Sequence, residues 1–364
     1  MVRRAFLTLA TAAFLASVLC LNDAEAARAR TRLRAQKRGS LKVVATLPDY
    51  GDFVKAIGGD RVEVETIVQG RQDPHHVRPK PSFHRILSKA DVLIATGLDL
   101  EMWLPTVIDR AGNKNIRSGE KGFVAVSHNM VLVDKPENPN QIMGDVHVEG
   151  NPHFTCSPLC MRQVAENIAT GLIKNDPANR AFYEANLKEL QGKIDARLFG
   201  EELVGLLGGE VLGRLARQNK LIDFLKKNKL GGTPLIERLG GWMKQLLPLR
   251  GKQIVVYHKN WSYFVDLFGI QVPATIEPKP GIPPSARDIV TLTDRMKDAD
   301  IRIVFAANYF DEKRARSVGE KVGAEVVIVP LFVNGNSEAK DYFSLVDIWV
   351  NGLISAARKK GLIQ

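Results

Sequence analysis

The amino-acid sequence predicts an α/β protein of two similar lobes, each with a mainly parallel sheet covered by helices. From residue 41 onward, short apolar and β-branched segments alternate with helical segments, which is the pattern of parallel sheets. A long helical stretch interrupts this alternation once, and a second strand-helix series follows it. The length of 364 residues also exceeds that of one ordinary domain. We therefore expect two lobes joined by a long connecting helix.

The beginning of the chain has the layout of a secretory signal peptide. Two arginines precede an apolar run over residues 5–21, and Ala24-Glu25-Ala26 offers a cleavage site. We predict a signal peptide over residues 1–26 and export to the periplasm. A retained membrane anchor is the alternative. Lipid attachment at Cys20, as in a lipoprotein, is not expected, because a leucine precedes it where a small residue is the usual neighbour.

The protein is basic, with a formal net charge of +11. Six positive charges fall within residues 28–38, and we predict a basic flexible tail over residues 27–40. No nucleic-acid partner is expected, because the run lacks interleaved aromatic residues and the chain is predicted to be exported. Only Cys156 and Cys160 follow the predicted cleavage site, so the protein is not a disulfide scaffold, although these two could pair.

The N-terminal lobe is predicted over residues 41–176. Its strands are rich in Val, Ile and Leu, and glycines such as Gly58-Gly59 end its helices. Strands are expected at residues 41–47, 62–68, 91–95 and 123–126, and helices at residues 50–57, 82–89 and 102–111. Together these elements form one strand-helix series.

Residues 177–250 are predicted to contain the connecting helix plus a helical insertion. The stretch 157–197 is typical of a helix, and its part from Pro177 onward is amphipathic. Residues 198–249 differ, because glycine pairs repeatedly interrupt short, basic helical segments.

The C-terminal lobe is predicted over residues 251–364 and repeats the strand-helix pattern. Strands are expected at residues 253–257, 271–276, 301–306 and 325–329, and helices at residues 261–268, 286–297, 312–322 and 342–359. The proline-rich stretch 278–284 is expected to be extended.

Three of the seven histidines stand where parallel sheets place their ligands. His75 lies in the loop after a predicted strand, His258 follows another strand directly, and His153 lies in a loop before a helix. Facing lobes would bring the three together in the interlobe cleft. Imidazole suits zinc, and a three-histidine set with one further ligand fits its tetrahedral coordination. Spacing alone is equally compatible with histidines on the surface.

The surroundings of these histidines resemble the motifs of one family. Asp73-Pro74-His75, Asn151-Pro152-His153 and Val256-Tyr257-His258, with an aromatic-rich helix after the last, look like the metal-binding solute receptors of ABC transporters for zinc and manganese. The first strand and helix, including Ala56-Ile-Gly-Gly-Asp-Arg-Val, are similar to the same family. The resemblance extends from the first predicted strand to the end of the chain. It implies that the first two histidines belong to the N-terminal lobe, that the third belongs to the C-terminal lobe, and that a long helix spans both.

The resemblance also implies a function. It predicts a monomeric periplasmic binding protein, not an enzyme, that captures a divalent transition metal and delivers it to the permease and ATPase of an ABC transporter in the inner membrane. Zinc is expected as the transported ligand, because the third ligand is His258, whereas manganese receptors of the family tend to have Glu there. A manganese receptor of the same fold is the alternative.

The sequence departs from the family at the fourth ligand, where an Asp is common and Val329 stands instead. Glu277 ends a C-terminal strand and is the best carboxylate candidate, with a water molecule as the alternative. A surface carboxylate is an equally good interpretation of Glu277. His76 and His147 are candidate accessory ligands, and Cys156 is a candidate soft ligand. The predicted metal ligands are therefore His75, His153, His258 and Glu277.

Two other classes of function stay open at this point. Three histidines with an open position is also the arrangement of catalytic zinc, so a zinc-dependent hydrolase or lyase is an alternative. Against it, the sequence has no H-E-x-x-H or G-x-S-x-G motif and no clear general base beside the histidine motifs. A metal-buffering protein or surface adhesin without a transporter is the third class. Asp73 and Asn260 are candidates for orienting the ligands.

Overall fold

The structure is a computed structural model and describes residues 39–137, 147–279 and 281–364. The predicted signal peptide over residues 1–26 lies outside the described residues, as does the basic tail as far as residue 38. No helix in the described part of the chain is long and apolar enough to cross a membrane.

Four parallel strands form the sheet of the N-terminal lobe, in the spatial order β2-β1-β3-β4. The strands are β1 (Leu41–Ala45), β2 (Val62–Thr66), β3 (Val92–Ala95) and β4 (Phe123–Ala125). Every residue of β3 is buried, as expected of a central strand with helices on both faces. The helices of this lobe are α1 (Pro48–Gly58), α2 (Pro81–Ser88), α3 (Leu104–Ala111) and α4 (Pro158–Asn175).

Two long helices, α4 and α5 (Arg180–Phe199), follow one another after this sheet. A 3-10 turn over Pro177–Asn179 separates them, so the helical stretch expected over 157–197 consists of two helices. Proline lacks the N–H that a helix interior needs and starts a new segment instead. With 20 residues, α5 is about 30 Å long at roughly 1.5 Å per residue.

The long helix α5 contacts both lobes. Near its start, Asn186 donates a hydrogen bond of 2.9 Å to the carbonyl of Ile57 in the N-terminal lobe. Near its end, Arg197 forms an ion pair with Asp347 in the last helix of the chain. It therefore connects the lobes as the fold prediction required.

Short helices and a hairpin follow α5. They are α6 (Glu201–Leu207), α7 (Gly209–Arg217), α8 (Leu221–Lys227), the antiparallel pair β5 (Lys229–Leu230) and β6 (Thr233–Pro234), and α9 (Gly241–Leu246). Glycines with a positive φ angle separate several of these helices; Gly200 and Gly208 are two of them. This agrees with the expected short helices with glycine breaks.

Three parallel strands form the sheet of the C-terminal lobe, in the order β7-β8-β9. They are β7 (Val255–Val256), β8 (Ile303–Ala307) and β9 (Glu325–Val329), accompanied by helices α10 (Ser262–Phe268), α11 (Ala286–Asp298), α12 (Glu312–Val322) and α13 (Tyr342–Lys359). Alternate residues of β8 enter two different cores, Phe305 the larger one and Val304 the smaller one. The strand expected at 271–276 is wrong in extent, because only single bridges at Gln271 and Thr275 join this segment to the chain around β7.

The larger hydrophobic core runs through both lobes and includes Tyr50 from one and Trp349 from the other. Buried hydrogen bonds also cross between the lobes. Tyr342 donates to the carbonyl of Thr155 at 2.7 Å, and Tyr263 donates to the carbonyl of Asn151 at 2.7 Å. The predicted fold class, two α/β lobes with parallel sheets and a connecting helix, is confirmed.

Candidate metal centre

His75 is held by a short 3-10 turn, Pro74–His76, in the loop after β2. Asp73 precedes this turn and accepts two hydrogen bonds from His75, one from its backbone N–H at 3.0 Å and one from Nδ1 at 2.7 Å. The indole of Trp103 donates to the carbonyl of Pro74 at 2.8 Å and fixes the turn against α3. Since Nδ1 is engaged, the free nitrogen of His75 is Nε2.

His153 lies just before a 3-10 turn, Phe154–Cys156, at the start of α4. Asn151 repeats the arrangement of Asp73: its Oδ1 accepts from the backbone N–H of His153 at 3.0 Å and from Nδ1 at 2.7 Å. His153 is 4% exposed, and its Nε2 is buried with no hydrogen-bond partner among the described residues. A buried ring nitrogen without a partner is costly unless something binds it.

His258 lies two residues after β7 in the C-terminal lobe, just before a 3-10 turn over Lys259–Trp261. Its Nδ1 lies 2.6 Å from Oε2 of Glu277, which stands at the end of the extended segment beside β7. Both side chains are nearly buried, with 7% and 11% exposed. As with the other two histidines, an oxygen atom engages Nδ1, so Nε2 is the ring nitrogen left for a metal.

The three predicted histidines converge between the lobes. The ring centroid of His75 lies 5.2 Å from that of His153 and 6.0 Å from that of His258, and the last two lie 5.5 Å apart. His147 joins them, with its Nε2 3.1 Å from Nε2 of His75 and its ring 5.6 Å from that of His153. The possible ligand atoms of His75, His147 and His153 all lie within 4.8 Å of one another, close enough to share one metal ion.

The electrostatic environment keeps two of these imidazoles neutral. Burial is the main reason that the pKa of His147 falls to about 3, and the neighbouring His75 and His258 lower it further. The pKa of His153 lies well below its ordinary value, again chiefly through burial. Neutral imidazoles offer the lone pair that a metal requires.

Asp73 stays ionised beside them. Burial alone would raise the pKa of this carboxyl group, but the hydrogen bonds from the ring and the backbone N–H of His75 outweigh burial, and the pKa is lowered. A carboxylate behind a metal ligand makes the imidazole more basic and supplies negative charge close to a bound cation.

The other predicted site residues lie elsewhere or are engaged otherwise. His76 is exposed at the end of its turn. Cys156 and Val329 are buried in the larger hydrophobic core. Asn260 is buried, and neither of its side-chain polar atoms has a hydrogen-bond partner within the described ranges.

His147 lies closer to the other histidines than its place in the sequence suggests. It stands 72 residues after His75, in a stretch with no strand or helix pattern, and it ranked only as an accessory ligand. The signal that could have found it is that His147 stands only six residues before His153 in the chain.

A family model matches most of the chain. It describes the periplasmic component A of zinc-uptake complexes, ZnuA, and matches residues 43–197 and 235–356, leaving out 198–234. That gap covers α6, α7, α8 and the β5–β6 hairpin.

The names of individual relatives mention different metals. ZnuA, a high-affinity zinc uptake system protein of Bacillus subtilis, is 21% identical over 335 residues, which is 91% of this chain and 89% of its own. The manganese ABC transporter substrate-binding lipoprotein PsaA of Streptococcus anginosus is 23% identical over 313 residues, 84% of this chain and 85% of its own.

Solved structures agree with these matches. A crystal structure of ZnuA superimposes with a TM-score of 0.64 at 22% identity, covering 87% of this chain and 99% of that one. A manganese-bound periplasmic metal-binding protein from Candidatus Liberibacter asiaticus gives 0.61 at 17% identity, covering 89% and 100%. At this identity the likeness shows the fold, and the family match carries the assignment. The chain belongs to the ZnuA family of metal-binding, substrate-binding components of ABC uptake systems.

Proposed function

We propose that this protein captures zinc in the periplasm and delivers it to the permease and ATPase of an ABC transporter in the inner membrane. The observation that carries the proposal is the convergence of imidazoles between the lobes, with the buried Nε2 of His153 left without a partner among the described residues. A receptor needs a buried site between two lobes, because a movement of the lobes away from each other exposes the metal for release. The proposed ligands are His75, His147, His153 and His258.

The donor set supports zinc over manganese. Neutral imidazole is a ligand suited to zinc, whereas manganese prefers carboxylate, carbonyl and water oxygens. The carboxylates nearest the site, Asp73 and Glu277, are hydrogen-bonded to ring nitrogens of ligand histidines. We therefore assign Glu277 an orienting role on His258, in place of the direct ligation that the sequence suggested, and place His147 in the fourth position.

A competition titration of the metal-free protein tests the proposal. Zinc is expected to bind with one-to-one stoichiometry and much more tightly than manganese. Replacing His75, His153 or His258 by Ala should weaken zinc binding by about 100-fold or more, the usual scale for losing a metal ligand or its support. Stronger binding of manganese than of zinc would refute the metal assignment.

The zinc-dependent hydrolase remains the competing function. The family is one of binding receptors, so we expect zinc-loaded protein to hydrolyse activated esters no faster than free zinc does. Turnover well above that of free zinc, and lost in the His153→Ala variant, would favour the enzyme instead.

A further inference from the structure

The side-chain amide of Asn151 uses all of its hydrogen-bonding capacity, although the residue is only 4% exposed. Its Oδ1 accepts from the backbone N–H and from Nδ1 of His153, at 3.0 and 2.7 Å. Its Nδ2 donates to Oδ2 of Asp134 at 3.0 Å and to the carbonyl of Lys259 at 2.8 Å. An asparagine amide has two donors and an oxygen with two lone pairs, so these four bonds satisfy it fully. Its protein neighbours therefore decide which end of the amide faces His153.

An amide differs from a carboxylate because its two ends are not equivalent. Asp73 engages His75 with a carboxylate, either oxygen of which accepts a hydrogen bond. Asn151 presents an acceptor in one orientation and an NH2 donor in the other. With the NH2 group towards His153, Nδ1 would have to accept, and the ring proton would move to Nε2. That tautomer has no lone pair on Nε2 for a metal, so the orientation of this amide decides whether His153 can be a ligand.

Asp134 favours the productive orientation, because a carboxylate accepts hydrogen bonds and does not donate them. In the reverse orientation, the amide oxygen of Asn151 would face the carboxylate of Asp134 and the carbonyl of Lys259. Its NH2 group would face the backbone N–H of His153. Hydrogen bonds would then be lost at a buried position, where unpaired polar groups are costly. Of the two bonds made by Nδ2, the one to Asp134 is the stronger, since charge-assisted hydrogen bonds are roughly twice as strong as neutral ones.

A further contact holds Asp134 in place. Its Oδ2 also accepts from the hydroxyl of Ser262, the first residue of α10 in the C-terminal lobe. The backbone beside it is fixed as well, because the N–H of Asn151 donates to the carbonyl of Val133 at 2.9 Å. Asp134 therefore joins α10 to the amide that orients His153.

We propose, resting on the proposed function, that Asp134 is a positioning residue of the metal site. Its carboxylate fixes the orientation of the Asn151 amide and, through that amide, the tautomer in which Nε2 of His153 has a lone pair for zinc. Asp134 acts through Asn151 and is not itself a metal ligand. Zinc affinity then depends on a hydrogen-bond acceptor at position 134, not on a negative charge there.

Two readouts on the mature protein test this role. The first is the tautomer of His153 in the metal-free protein with isotope-labelled histidine, because long-range proton–nitrogen NMR spectra distinguish protonated from unprotonated ring nitrogens. A His153→Gln variant assigns its signals. The second readout is the affinity for zinc in a competition titration. In the unaltered protein, His153 should carry its proton on Nδ1.

Asp134→Gly removes the acceptor without straining the backbone, since Asp134 has a φ of 55°, which glycine adopts freely. This variant should show a mixture of the two tautomers of His153. It should bind zinc about 10-fold more weakly, the lower end of the usual effect of losing a partner that orients a metal ligand. Asp134→Asn keeps an acceptor oxygen and should retain both the tautomer and the affinity.

A second substitution in the Asp134→Gly background tests whether the amide carries the effect. Asn151→Asp introduces a carboxylate that accepts in either orientation, as Asp73 does beside His75. The double variant should therefore regain the Nδ1 tautomer and most of the lost zinc affinity. A loss caused only by misfolding would not be recovered in this way. The matched control is Glu137→Ala, which removes an exposed carboxylate three residues further along the chain and should change neither readout.

The outcomes separate this proposal from the proposed function. If the unaltered protein fails to bind zinc, the proposed function fails, whereas the tautomer readout needs no metal and still tests Asp134. A proton found only on Nδ1 of His153 in Asp134→Gly would overturn the positioning role. An equal loss of affinity in Asp134→Asn or in Glu137→Ala would overturn it too, because charge would then explain the effect. Should Asp134→Gly not fold, Asp134→Ala gives the same comparison.

Discussion

At the scale of single residues, one device recurs three times in this site. Asp73, Asn151 and Glu277 each place an oxygen close to Nδ1 of a histidine, at 2.7, 2.7 and 2.6 Å. Each contact engages Nδ1 and selects the tautomer with the proton on that nitrogen, which leaves the lone pair of Nε2 for a metal. Two of the three acceptors are carboxylates and one is an amide, so the common requirement is an oxygen acceptor, not a charge.

The first prediction follows from this device and concerns Glu277. Glu277→Gln should change zinc affinity only a few-fold, because the Gln carbonyl oxygen still accepts from Nδ1 of His258. Glu277→Ala should weaken zinc binding by roughly 10–100-fold, the usual effect of removing an orienting partner. Competition titration with a fluorescent zinc chelator measures both variants. A loss in Glu277→Gln as large as that in Glu277→Ala would restore Glu277 as a direct ligand.

The second prediction concerns His147, which contacts His75 through Nε2. His147→Ala should weaken zinc binding by about 100-fold or more if its imidazole is the fourth ligand. The matched control is His76→Ala, which removes an exposed histidine beside His75 and should leave the affinity unchanged. Equal affinities of the two variants would remove His147 from the ligand set.

The candidate site shows what a sequence can reveal and what it cannot. His75 and His258 follow strands, so the topology of parallel sheets indicated that they would meet. His147 follows no strand, and its position beside His75 depends on a contact between residues 72 positions apart in the chain. The contact of Glu277 with Nδ1 of His258 was equally out of reach, because a carboxylate that ligates a metal and one that orients a ligand differ only in geometry.

At the scale of elements, the glycines of the inserted region do two different things. Gly200 ends α5 with a φ of 88° and a ψ of 143°. A Cβ atom there would lie 2.7 Å from Cα of Gly240, so the two backbones cross with no room for a side chain. Gly205 lies inside α6 in open space, where an added Cβ atom would meet nothing within 4 Å.

The third prediction uses this pair of glycines. Gly200→Ala should lower the free energy of unfolding by at least about 1–3 kcal/mol, since a strained backbone conformation adds to the steric clash. Gly205→Ala should raise it by about 0.5–1 kcal/mol, because Ala restricts the unfolded chain and favours an exposed helix. Urea denaturation monitored by circular dichroism measures both. A change of the same sign in the two variants would contradict the close crossing at Gly200.

Elements were most predictable where local signals were strong. The bounds of α12 and α13 match the expected 312–322 and 342–359, and Asp311 and Asp341 cap them as side-chain acceptors. The strand expected at 271–276 failed, because its apolar residues fit a strand while its backbone pairs with the chain around β7 only at isolated points. Pairing depends on neighbours far along the chain, which local pattern does not specify.

At the scale of the whole molecule, the metal site stands where the two lobes share their interior. The larger core includes side chains from both sheets and from α13, so apolar packing joins the two lobes. Hydrogen bonds also join the loop of His153 to the C-terminal lobe: Asn151 accepts from Tyr263 through its carbonyl and donates to the carbonyl of Lys259 at 2.8 Å. Zinc would therefore bind across a junction that already exists, and it would strengthen that junction.

The last prediction is that zinc stabilises the fold through this junction. A ligand that binds only the folded state adds RT ln(1 + [L]/Kd) to its stability, about 4 kcal/mol when free zinc exceeds Kd a thousand-fold. Differential scanning calorimetry should show a melting temperature several degrees higher with zinc than after chelation, and the rise should grow with the logarithm of free zinc. The double variant His153→Ala, His258→Ala removes one ligand from each lobe and should melt at the same temperature with and without zinc. An equal rise in this variant would mean that zinc stabilises the protein from somewhere other than the interlobe histidines.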